Sequence, residues 1–305
     1  MNAEVLRLIK RYDRLSRSLE RQAIERLDGA IDASYKSLEQ EFLRQYPNIQ
    51  SQGSLLAAQR RAVLLNDLGG LLQIIEPERE AEYEQMFDRL IRGSYTLGGD
   101  LGGALISAIA PNSFVRAFAG VNLEAAALQA RDGVRRLYRY NDEFRSKASA
   151  IVEQGIIQGW GARRVAGVLR SEMAIAKYNA ERIARTEVLS ALNDGAQLRY
   201  QQNGVDGVQL VVSIGEVCPY CVARNGNVYE VGKIRVPLHP FCRCVLVCWR
   251  REWQEMGLTD DDFTRQYRDA RLADLRTEGK EPNYGLSPFE RMAKLDRPPE
   301  PIWTP

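Results

Sequence analysis

Two short runs carry the residue types best able to do chemistry. CPYC occupies 218–221, and HPFCRC occupies 239–244. Between Cys218 and Cys244 lie four of the five cysteines and the only histidine of the 305-residue chain. CxxC puts two thiolates on one tight turn, the arrangement that presents two ligands to one zinc. Twenty residues separate Cys221 from Cys242, within the spacing of paired zinc knuckles. His239 and Cys242 repeat the i, i+3 spacing of the first pair. Zinc takes four ligands, and five are on offer: Cys218, Cys221, His239, Cys242 and Cys244. The favoured set is Cys218, Cys221, His239 and Cys242, with Cys244 as the substitute for His239. Cys248, inside VLVCW, reads as a small buried hydrophobe.

A structural zinc fits this set better than a catalytic one. Four soft ligands close the shell, whereas a catalytic zinc keeps a position for water. HExxH is absent, and so is a deaminase pattern. A zinc-dependent hydrolase would have to draw on Glu187, His239 and a zinc-bound water, and no catalytic residue is assigned. Nucleic-acid binding is another reading. Residues 131–203 hold thirteen Arg or Lys against eight Asp or Glu. Arg163, Arg164, Arg224 and Arg243 could meet phosphates, and Tyr220 or Phe241 could stack on a base. A solvated helix face explains the same charge excess. In ERIARTEV, Arg182, Arg185 and Glu187 read as a salt-bridged or capping network, or as arginines bridging a domain seam.

The elements that must position these groups are mostly helical. Val5, Leu8, Tyr12, Leu15, Leu19, Ala23, Leu27, Ile31, Tyr35, Leu38 and Phe42 recur at helical spacing and predict one helix over about 1–46. Its apolar stripe needs a covering helix in the same chain or in a neighbour. Further helices are expected over about 55–75, from Pro77, over 113–130, over about 132–158, as a short basic helix after a glycine-marked turn in GWGARRVAGVLRSE (159–172), and as a separate helix over 174–202 ending at Asn203–Gly204. GSYTLGGDLGGA, with five glycines between Gly93 and Gly103, reads as a flexible connection. VQLVVSIG, NVYEVGK, IRVPL and CVLVCWR read as short strands.

The expected fold is mainly α with a small β module, an α+β class. Its parts are an N-terminal helical region (1–110), a helical domain (111–204), a Cys-rich β module (205–250) that zinc would staple, and an extended tail with one short helix (251–305). So small a module buries little apolar area and needs such a staple. The net charge of +2 argues against bulk polyanion binding. No apolar run reaches the length of a membrane span, and the charged N-terminus lacks the core of a signal peptide. Reduced thiols and a cytosolic site of synthesis follow.

The order of pieces then becomes informative: a helix with Arg185-Thr186-Glu187, a strand, Cys218 and Cys221, Gly226, and the PLHPFCRC run from Pro237 to Cys244. Over about 148–247 this resembles the phage Mu F-like minor head proteins, or head-morphogenesis proteins, of tailed bacteriophages. Val and Glu stand in VQLVVSIGEV where such proteins often carry Trp and Asp. The resemblance implies a low-copy virion protein, made in the host cytoplasm and placed at the capsid interior or portal vertex. Portal protein, major capsid protein and packaged DNA would be its partners, and head assembly or DNA ejection its task. The stripe of the first helix would be a natural portal or capsid contact.

Overall fold

The computed structural model describes residues 3–50, 80–120, 123–212 and 218–305, with 45–50 as backbone only. The helix predicted over 55–75 and the start at Pro77 lie outside the described residues. The described elements are α1 (Ala3–Gln50), α2 (Glu80–Ile109), α3 (Leu123–Ile157), α4 (Ala162–Gln202), β1 (Gly207–Val211), α5 (Pro219–Ala223), β2 (Val228–Glu230), β3 (Val245–Trp249), α6 (Arg251–Glu255), α7 (Asp261–Thr277) and α8 (Pro288–Met292). They fall into two compact units. Unit 1 combines residues 1–20, 89–127 and 185–305, and unit 2 the described parts of 21–88 and 128–184. The architecture is the expected one, long helices with a small antiparallel sheet.

Unit 2 is a helix bundle. Leu27, Ile31, Leu38 and Phe42 of α1 are buried, as are Val134, Leu137, Phe144 and Val152 of α3 and Val165, Leu169 and Met173 of α4. Each set recurs at three, four, seven or eight residues, which lines one face of a helix. Surface ion pairs join α1 to α4 (Arg170–Glu39 and Lys177–Asp32, each 2.6 Å) and α3 to α4 (Lys147–Glu172, 3.3 Å). Such exposed pairs are worth at most about 1 kcal/mol each, so the apolar face holds the unit together.

In unit 1 the three strands form an antiparallel sheet of order β2-β1-β3, with Val208 opposite both Tyr229 and Cys248. Every residue of β1 and β3 is buried, so elements cover both faces of the sheet. Val5 and Ile9 of α1 and Leu101 and Leu105 of α2 share one core with Tyr200, Leu210 and Leu246. The Tyr200 hydroxyl donates to the Leu246 carbonyl (2.9 Å), and α4 ends where Gly204 adopts φ +64° beyond Asn203, as anticipated.

Five local expectations are overturned. The glycine-rich stretch is helical, the middle of α2. A Cβ on Gly98 would overlap the Leu192 carbonyl of α4, and one on Gly195 would overlap the Tyr95 carbonyl of α2. The glycines thus let two helix backbones approach, which offsets their poor helix propensity. Residues 113–120 are not helical; Phe118 instead lies where a side chain on Gly99 would be, and the Arg116 amide donates to the Asn203 side chain. α3 and α4 each run unbroken through the breaks expected within them. IRVPL, which contains Pro237, pairs with no strand. The tail holds three helices, α6, α7 and α8, rather than one.

On α1, the first twenty residues bury Val5, Ile9, Ser16 and Glu20, one position round from the predicted Leu8, Tyr12, Leu15 and Leu19. Leu15 is 43% exposed. The apolar pattern could not register Ser16, which bonds the Asp13 carbonyl of its own helix, or Glu20, which is paired with Arg243. Val5 and Ile9 are buried within unit 1, so the start of the stripe packs largely against this chain's own core.

Candidate metal centre

Each half of the cluster sits on a short, well-anchored turn of unit 1. Cys218 is the N-cap of α5, and its carbonyl accepts from the Val222 amide (2.9 Å). Proline follows at the first helical position, which suits it. One turn on, Cys221 points into the core, 2% exposed. The second turn closes when the Cys242 amide donates to the His239 carbonyl (3.1 Å), with Phe241 at φ +61°. The extended stretch leading into β3 then carries Cys244, also buried.

These turns bring all five predicted ligands together. Cys221 Sγ lies 3.1 Å from His239 Nε2 and 3.8 Å from Cys242 Sγ. The ligand atoms of Cys218, Cys221 and His239 lie within 4.8 Å of one another, and so do those of Cys221, Cys242 and Cys244. A zinc tetrahedron with ~2.3 Å bonds to sulfur has a sulfur–sulfur edge of ~3.8 Å. The Cys221–Cys242 separation has that length. His239 Nδ1 faces the Pro240 carbonyl at 2.6 Å, which turns Nε2 toward the sulfurs. A metal-bound imidazole is oriented this way, by a hydrogen bond to its second nitrogen. The donor set, spacing and orientation fit a zinc ion.

The electrostatics show how strongly the groups interact. A hydrogen bond from Cys221 is the largest cause holding the Cys218 thiol down at about 4. Burial pushes His239 down, but the Cys218 and Cys242 sulfurs outweigh it and raise the imidazole to about 10. Burial opposes ionisation of Cys242, yet hydrogen bonds from Cys221, Cys244 and His239 carry it well below the usual thiol range. Cys221 is driven up, chiefly by its hydrogen bond to Cys218. Cys244 is also driven up, with its hydrogen bonds to Cys221 and Cys242 acting in opposite directions. Cys248, apart from the cluster, is raised by burial alone in the main, as a structural cysteine should be.

The remaining expected residues go to separate places. Arg243 makes a bidentate ion pair with Glu20 (2.7 and 2.6 Å). Arg185 lies over the Phe241 ring, 5.1 Å from its centroid, and Glu187 is buried. Arg182 belongs to unit 2, where it bonds the Tyr140 hydroxyl and covers that ring. Arg163 and Arg164 are exposed at the start of α4, with Arg164 4.2 Å above Trp160. Arg224, a candidate phosphate contact, is internal: 4% exposed, it pairs with Glu290 (3.0 Å) and donates to the Gly285 carbonyl (2.9 Å). Its position next to CPYC gave no hint of a partner 66 residues away.

Two supports escaped the sequence reading. Asn193, fully buried on α4, accepts from the Leu246 amide (3.1 Å) and donates to the Leu189 carbonyl (2.9 Å), which ties α4 to β3 beside Cys244. The C-terminal segment encloses the module. The Asn283 amide donates to the Pro219 carbonyl (3.1 Å), the Phe289 amide to the Leu238 carbonyl (3.2 Å), and Val228 bridges Trp303 along the outer edge of β2. Among the described residues no helix is long and apolar enough to cross a membrane.

No curated protein and no solved structure matches the chain. Over residues 147–247, the third of the chain that contains Arg185-Thr186-Glu187, β1, β2, the start of β3 and every candidate ligand, it matches the family described as Phage Mu protein F like protein, and that family points to phage head morphogenesis.

Proposed function

We propose that this chain is a non-catalytic minor head protein of a tailed phage, acting at the portal vertex or inner capsid in head assembly or DNA ejection. Its Cys/His cluster is a structural zinc site, with Cys218, Cys221, His239 and Cys242 as ligands and Cys244 beside them. The observation that carries this reading is the convergence of the CPYC and HPFCRC turns on one buried point, inside the segment that matches the family. Four soft donors leave no open position for water, which favours a structural ion over a hydrolytic one. When bound, zinc would supply a cross-link between α5 and the approach to β3. Phosphate contact through the module has less support, because Arg224 and Arg243 are both held in ion pairs.

Purified protein and phage particles analysed for metal, together with immunodetection in proheads and virions, test the proposal. One zinc per chain and presence in proheads are expected. Absence of the protein from both proheads and virions would refute the head assignment, and a metal-free native protein would refute the site.

A further inference from the structure

A groove of about 390 Å³ opens on unit 1, between the first turns of α1 and the end of β1. Leu6, Ile9, Val212 and Tyr267 give it an apolar floor, and Lys10 and Arg14 stand on its rim. Its volume lies within the roughly 300–1,000 Å³ of sites that take ligands or protruding side chains. The one acid in its lining, Asp13, is engaged with Arg17 (2.8 Å) and lies 3.8 Å from Arg243. Among the described residues, Lys10 and Arg14 form no ion pair. Apolar walls beside two such cations suit an occupant that offers apolar side chains followed by acids.

Unit 1 presents such a segment elsewhere on its surface. After α6 the chain turns at Gly257 (φ +71°) and leaves Met256 66% and Leu258 39% exposed. Asp260, Asp261 and Asp262 follow after Thr259. Asp260 caps α7 and Asp261 accepts from Thr259 and Gln254, but the Asp262 side chain is 82% exposed, with only a surface contact to Arg265 (3.3 Å). An exposed pair of this kind is weak and easily exchanged.

We propose that the groove of one copy receives the Met256–Asp262 turn of a second copy, so that the chain associates with itself through Lys10 and Arg14 on one side and Asp262 on the other. Met256 and Leu258 enter the apolar floor, and the aspartate meets the rim. A contact confined to this groove falls short of the ~1,000 Å² that stable interfaces bury, so the association is weak in dilute solution. It becomes effective where several copies are held close together. The inference does not depend on the metal.

Sedimentation of the full chain from about 5 to about 200 μM tests it. The average mass is expected to rise with concentration, and less so when salt screens the charges. Met256→Ser and Lys10→Glu/Arg14→Glu are each expected to weaken association about tenfold or more. Both change exposed side chains, and circular dichroism checks their fold. A mixture of Lys10→Glu/Arg14→Glu with Asp262→Lys should associate more strongly than either variant alone. A wild-type protein that is monomeric throughout, or a mixture with no gain, overturns the proposal. Salt-sensitive binding of a 20-base-pair DNA duplex, lost in Lys10→Glu/Arg14→Glu while the wild type stays monomeric, would reassign the groove to nucleic acid and overturn it as well.

Discussion

Arg243, the residue between the third and fourth cluster cysteines, holds Glu20 of α1 by two parallel hydrogen bonds of 2.7 and 2.6 Å. The Glu20 side chain is only 3% exposed, and burial raises its pKa against the pull of Arg243. A carboxylate in that position is tolerable because the guanidinium fork satisfies both of its oxygens. The arginine thereby ties the second ligand turn to α1.

Removing one partner leaves the other charged and poorly hydrated, which costs more than the pair contributes. Glu20→Ala should therefore destabilise the protein by about 2–4 kcal/mol, and Glu20→Ala/Arg243→Ala by less than the sum of the single changes. Urea unfolding of the four proteins in this cycle measures the coupling. Additive losses would show that the pair has no energetic role.

The crossing of α2 and α4 gives a second prediction. Gly98→Ala puts a methyl group into the Leu192 carbonyl, so the helices must separate, at a cost of about 2 kcal/mol or more despite the better helix propensity of alanine. Gly167→Ala is the control: nothing lies within 4 Å of its Cβ position, and it should stabilise by up to about 1 kcal/mol. Opposite signs in thermal unfolding are the expected result.

Asp194 makes stability depend on pH. Burial raises its pKa from 3.8 to about 6, with Arg235 and hydrogen bonds from Ser190 and Tyr95 opposing the rise. Below about pH 4 the carboxyl is neutral in both folded and unfolded chains. Between about 4 and 6 the unfolded chain loses its proton while the folded one keeps it, so stability falls as pH rises. Above that window the penalty is constant at about 3 kcal/mol. Asp194→Asn should therefore be more stable than wild type at pH 7, by up to about 3 kcal/mol, with the gap closing toward pH 4. Denaturant titrations at pH 4, 5, 6 and 7 check the trend.

If zinc occupies the cluster, Cys221→Ser should abolish stoichiometric metal, because Cys221 belongs to both ligand groups. Cys248→Ser should retain it. Chelation of the wild type should lower its unfolding temperature, and should leave that of Cys221→Ser unchanged. A chelator effect equal in both proteins would dissociate stability from the cluster.

The cluster was legible because CPYC and HPFCRC each fix local turn geometry, and because thiols and imidazole are rare enough in this chain for their concentration to stand out. The long helices were legible from apolar spacing. The errors share a physical origin in partners remote in sequence. The glycines of α2 look like a flexible link until Leu192 of α4 is placed against Gly98. Glu20 looks solvent-facing until Arg243 arrives. α6 and α8 were hidden because each spans only five residues, too few to show an apolar period. Phe114 to Gly120 has helix-compatible residues, yet its amides at Arg116 and Ala119 bond to Asn203 and Gln202.

The bridge between Val228 and Trp303 sets an order of events during synthesis. The residues that shield the exposed flank of β2 are translated 75 positions after it. Until they emerge from the ribosome, the flank has free amides and carbonyls able to recruit a foreign strand. A nascent chain that stalls between α6 and Trp303 would therefore be the form most prone to clumping, even though its cysteine turns are already made.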